Sequence, residues 1–76
     1  MVGATVAGVS EVPIRDESIR LGQFLKLANL IDSGADAKAA IADGQVTVNG
    51  EVETRRGRQL RCGDEVRFDG QVARVG

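Results

Sequence analysis

The sequence predicts an α+β fold of two short packed helices followed by a small antiparallel β-sheet, and three patterns carry that prediction. Leu21, Phe24, Leu25, Ala28 and Ile31 recur at three- and four-residue spacing, which puts them on one face of a helix. Ser33 followed by Asp36 is a capping pair that opens a second helix, and Gly44 closes that helix after Asp43. Beyond Gly44 the period changes to two, with Val46 and Val48 alternating against Gln45 and Thr47, and Asn49-Gly50 marks a turn.

Residues 1–11 mix Gly, Ala, Val and Ser without a period and are expected to form a flexible tail, so that the domain runs from 12 to 76. Val12-Pro13-Ile14 and Ile19-Arg20-Leu21 are each expected as a short strand, with Asp16-Glu17-Ser18 turning between them. Gly34 is the expected stop of the first helix. In the second, Ala37, Ala40 and Ile41 face inward and Lys38 points elsewhere; two helices joined by so few residues pack as neighbours. A two-residue hairpin at Asn49-Gly50 would set Val48 opposite Glu51, so a wider turn that returns Val52 to the core is expected. Glu65-Val66-Arg67-Phe68 is a strand between Gly63-Asp64 and Asp69-Gly70, with Val66 and Phe68 sharing a face with Ala73 and Val75.

Composition narrows the function. A chain of 76 residues holds one domain, and a domain this small buries only about 60% of its unfolded surface, which disfavours a deep catalytic cavity. Histidine is absent and Cys62 is the single cysteine, so a disulfide, a structural zinc and the His-activated nucleophiles are all excluded. Asp64, Glu65 and Asp69 lack the spacing of a calcium loop, and no Gly-rich loop followed by Lys-Ser or Lys-Thr exists to cradle a nucleotide. No catalytic residue, cofactor or metal is expected. The apolar runs are too short to span a bilayer, and Met1-Val2-Gly3-Ala4-Thr5 does not resemble a signal peptide, so a cytoplasmic protein without membrane contact is expected.

A net charge of −1 argues against indiscriminate coating of nucleic acid, but the charge is unevenly spread. Glu53-Thr54-Arg55-Arg56-Gly57-Arg58 places three guanidinium groups in one turn, and Arg61 follows with no acid intervening. Guanidinium stays charged and offers a planar fork of donors to phosphate oxygens; the plainer reading is a solvated loop. Lys26 emerges at the edge of the first helix. Lys38 sits in the first turn of the second, where a cation is slightly unfavourable for the helix dipole. Phe24 and Phe68 are the only aromatics and both fall on core faces, which leaves no platform for stacking unpaired bases. Such a surface is expected to recognise the backbone shape of folded or double-stranded RNA. DNA is less suited, for want of a long basic recognition helix.

From about Ile19 to Phe68 the chain resembles the αL RNA-binding motif named after ribosomal small-subunit protein S4. The resemblance rests on Leu21, Phe24-Leu25-Lys26, Ser33-Gly34, Ala37-Lys38, Ile41, Gly63-Asp64-Glu65-Val66 and, most specifically, Gly44-Gln45-Val46-Thr47-Val48-Asn49-Gly50. The small stand-alone members also share Phe-Leu-Lys and the Glu-Thr-Arg-Arg segment at Glu53 to Arg56. The resemblance implies an RNA-facing surface carrying Lys26, Ser33, Lys38, Arg55, Arg56 and Arg58, with Arg61 and Asn29 beside them. It implies structured ribosomal or transfer RNA as partner, in ribosome assembly or translation, with ribosomal particles as a further partner; a monomer is expected. Many members carry a basic residue just after the serine that opens the second helix; here Gly34-Ala35-Asp36 follows, which predicts weak affinity or a need for a helper protein. One alternative is an adaptor whose arginine loop docks an acidic protein. A sulfur-carrier or ubiquitin-like protein shares Val48-Asn49-Gly50 and Gly63-Asp64-Glu65-Val66, but the ending Arg74-Val75-Gly76 lacks the Gly-Gly tail such carriers use.

Overall fold

The computed structural model describes residues 9–76. Strands β1 (Val9–Val12) and β2 (Ser18–Arg20) lead into helices α1 (Leu21–Leu27) and α2 (Gly34–Ala42). Five strands follow: β3 (Val46–Val48), β4 (Glu51–Val52), β5 (Gln59–Arg61), β6 (Glu65–Phe68) and β7 (Gln71–Val75). The main sheet has the order β1-β7-β6-β3-β4, and β2 pairs with β5 in a separate antiparallel ribbon. All neighbours in the main sheet are antiparallel except β1, which runs parallel to β7 with Val9 opposite Val72 and Val12 opposite Val75.

The antiparallel registers put Val48, Val66 and Ala73 in one row across the sheet, and this row is buried. Val46 and Val75 extend the same face. Against it lie Leu21, Phe24 and Leu25 of α1, Ala37, Ala40 and Ile41 of α2, Ile31 from their connection and Leu60 from the ribbon, forming one core. The inward positions expected for α2 and for β6 and β7 are therefore the observed ones, with Phe68 half-buried at the margin. The small side chains of α2 let it approach closely, as core packing at near-crystalline density requires.

Several boundaries differ from the sequence reading. Of the flexible tail expected over residues 1–11, residues 9–11 instead belong to β1; residues 1–8 lie outside the described residues. Small residues carry no periodic signal, and the partner that orders them, β7, is far along the chain. The strand expected at Val12-Pro13-Ile14 stops at Val12, since Pro13 has no N–H to extend the ladder. Leu21 begins α1 and does not end β2.

Helix α1 stops at Leu27, about two turns before the expected Gly34. Asn29 takes a left-handed φ of 64°, and the amides of Leu30 and Ile31 fold back to the Leu25 carbonyl, closing the helix in the manner of a glycine cap. Gly34 instead starts α2, behind Ser33, whose hydroxyl accepts from the Asp36 amide at 3.1 Å. The Asn49-Gly50 turn is the tight one. With φ of 53° and 87° these residues form a two-residue hairpin that sets Val48 opposite Glu51. The pairing is tolerated because β4 is the sheet's edge: Glu51 is exposed there, and Val52, on the other face, is 61% exposed.

Candidate nucleic-acid interface

After β4 the chain turns through residues 53–58 and docks on the start of α1. That helix begins after Arg20 with no side-chain cap, so its first amides need acceptors from elsewhere. The loop supplies them: the Leu21 N–H donates to the Arg58 carbonyl at 2.8 Å and the Gly22 N–H to the Arg56 carbonyl at 3.1 Å. Gly22 permits the approach. A Cβ there would stand 2.6 Å from Cγ of Arg56.

Glu53 fixes the loop's shape from within. It is the only buried charged side chain among the described residues. Its carboxylate accepts from the Arg55 backbone N–H at 3.0 Å, from Arg55 Nε at 3.0 Å and Nη2 at 3.4 Å, and from Arg58 Nη1 at 3.1 Å. A buried carboxylate with this many donors is held ionised, and its pKa falls to about 2, chiefly through the Arg55 side chain.

Among the described residues Arg56 has no such carboxylate partner, and it lines an open cleft of about 310 Å³ with Arg20, Gln23 and Lys26. Gly22, Gly34, Ala37 and Gly57 complete the lining, so the walls between the charged groups are small residues. Among the described residues no carboxylate lines this cleft. Three cations held around small-residue walls attract a chain of phosphates, and a low wall lets a backbone come close.

Of the sequence-predicted residues, the cleft brings together Lys26 and Arg56. Lys38 is exposed on α2 one turn beyond Gly34, on the stripe leading away from the cleft. Arg55 and Arg58 are bound to Glu53, although the Arg55 side chain remains 78% exposed against 32% for Arg58. Ser33 caps α2 and Asn29 ends α1, so both have local structural work. Arg61 is exposed on β5, and the register with β2 puts it on the same face of the ribbon as Arg20, opposite the buried Leu60.

Arg20, Gln23 and Glu53 were missed by sequence reasoning. Arg20 had a usable signal: in Ser18-Ile19-Arg20 an inward Ile19 sends its neighbours outward. Glu53 had a weaker one, an acid two residues before an arginine in a turn. Its burial arises only when the loop closes on α1.

With this geometry in hand, comparison with known proteins gives a consistent result. The family model described as the S4 domain matches residues 12–76. The probable ribosome maturation protein RlbA of Bacillus subtilis (strain 168) is 49% identical over 59 residues, covering 78% of this chain and 83% of that protein. The putative RNA-binding protein YbcJ of Escherichia coli (strain K12) is 46% identical over 57 residues, covering 75% and 81%. The solution structure of E. coli YbcJ, described as revealing an αL motif involved in RNA-binding, superimposes with a TM-score of 0.64 over 96% of this chain and 98% of that one, at 35% identity. The ribosomal protein S4e of Thermoplasma acidophilum shares the fold, with a TM-score of 0.61 at 23% identity; 79% of this chain aligns with 32% of that protein.

Proposed function

The chain belongs to the S4 domain family, and from that premise we propose that it binds structured RNA, ribosomal or transfer RNA, through the cleft between α1, α2 and the arginine loop. The observation that carries this reading is the cleft itself: Arg20, Lys26 and Arg56 around small-residue walls, with no acid among the lining residues. Lys38 extends the surface along α2 and Arg61 extends it along the ribbon, while Ser33 and Asn29 act by shaping the helix ends. Recognition is of backbone and shape. Phe24 is fully buried and Phe68 packs on the core, and the sequence has no other aromatic to stack on a base. The protein acts without chemistry of its own, in ribosome maturation or translation, as a monomer that meets a ribosomal particle directly or with a helper protein. The name of the B. subtilis relative supports the ribosomal setting.

The test is affinity for a folded ribosomal RNA fragment and for an unstructured strand of equal length, each across a salt series. Tighter, salt-sensitive binding to the folded RNA is expected. Absence of binding to either RNA at low salt would overturn the reading. An acidic protein partner is less well served, because Glu53 already engages two of the loop's three arginines.

A further inference from the structure

We infer that Glu53 is the positioning residue of the RNA surface: by holding Arg55 and Arg58 it seats the loop on α1, and that seat delivers Arg56 into the cleft. The inference rests on the RNA-binding reading and assigns unequal roles within Arg55-Arg56-Gly57-Arg58. Arg58 is an anchor, its guanidinium drawn in to Glu53 and only a third exposed. Arg55 is fastened twice, through its backbone amide and through its side chain, which fixes the loop's course one residue before Arg56. Arg56 is the residue left over. Its carbonyl takes the Gly22 amide and its aliphatic stem lies across Gly22, so the guanidinium is carried toward Lys26 and Arg20.

Simple electrostatics gives the opposite forecast. Glu53 is a negative charge near an RNA surface, and removing it would release two arginines and raise the net charge by one, so an unpositioned polyelectrolyte would bind RNA more tightly. A positioning role makes the same change weaken binding to folded RNA. The sign of the effect therefore separates the two accounts. Selectivity should move as well, because freed arginines attract any strand while a displaced Arg56 no longer fits a particular fold.

The experiment has a protein-only arm and an RNA arm. In the free protein, amide hydrogen exchange at Leu21 and Gly22 reports the seat, since these amides donate to the loop carbonyls. Glu53→Gln is expected to lose that protection while amides between β6 and β7 keep theirs; retained protection at Leu21 and Gly22 would overturn the inference whatever RNA does. In the RNA arm, run well below the melting temperature, Glu53→Gln is expected to lower affinity for the folded fragment at least fivefold and to leave affinity for the unstructured strand equal or higher. Equal or tighter binding to the folded fragment would sink the idea. Should Glu53→Gln fail to fold, Gly22→Ala decides: it leaves charge and the Glu53 pairs intact but collides with the Arg56 stem, and wild-type affinity for folded RNA would then overturn the inference. Failure of the wild-type protein to bind RNA would count against the functional reading alone, since the exchange arm needs no RNA.

Discussion

A carboxylate and a guanidinium a few residues apart here do different work from the same loop. Glu53 has a pKa of about 2 against an ordinary value of 4.5, so the sign of its linkage is fixed. Its stabilising effect is complete above pH 4.5 and disappears as pH falls toward 2. Glu53→Gln is thus expected to lower the melting temperature at pH 7, with the gap from wild type closing as pH drops through that window; thermal unfolding followed by circular dichroism at several pH values checks it. Arg56 carries the complementary prediction. Arg56→Ala should weaken binding to folded RNA by about tenfold, the cost of one charge-assisted contact, and flatten the salt dependence by roughly one unit per decade. Thermal stability should stay nearly the same, because the Gly22 amide bonds the Arg56 backbone and not its side chain.

Each helix end is solved by a different device, and the devices explain what could be read in advance. The start of α2 is local: Ser33 and Asp36 lie three residues apart, and the capping bond forms between them as the spacing indicates. Ser33→Ala is expected to cost about 1 kcal/mol in chemical denaturation, with the midpoint moving and the slope unchanged. The start of α1 is not local, since its acceptors come from Arg56 and Arg58, and nothing beside Leu21 in the sequence announces them. The end of α1 depends on Asn29 adopting a left-handed conformation, a role that its side chain permits but that Gly34 would signal more loudly. The same contrast governs the strands. Val46, Val48 and Val66 alternate against polar neighbours and are legible, whereas β1 and β5 become strands only when β7 and β2 arrive to pair with them. In the candidate site, Lys26 and Arg56 were legible as exposed cations, but which cations share a cleft is decided by tertiary contact.

For the molecule as a whole, the relevant quantity is how many cations face the RNA and not how many the sequence holds. The chain carries ten lysines and arginines and eleven acids, yet Arg20, Lys26 and Arg56 line one cleft, and the proposed surface adds Lys38 and Arg61. Arg55 and Arg58 are already matched by Glu53 and Arg74 by Glu65, so these add little to counterion release. The five cations of the proposed surface correspond to a slope of about −4 in log affinity against log salt, measurable by fluorescence titration with a folded RNA fragment. A slope steeper than about −5 would mean that Arg55 and Arg58 leave Glu53 on binding.

The capping of α1 by a loop roughly thirty-five residues downstream also sets the order in which the protein matures as it is synthesised. A helix of seven residues is too short to persist alone in water, and its first turn has no acceptors until Arg58 has emerged. The nascent chain therefore completes its strand framework and its RNA-facing side together, only after Arg58 has emerged. Chains cut after residue 50 should show little helix by circular dichroism, and they should be unable to engage RNA, because the loop that seats α1 is missing.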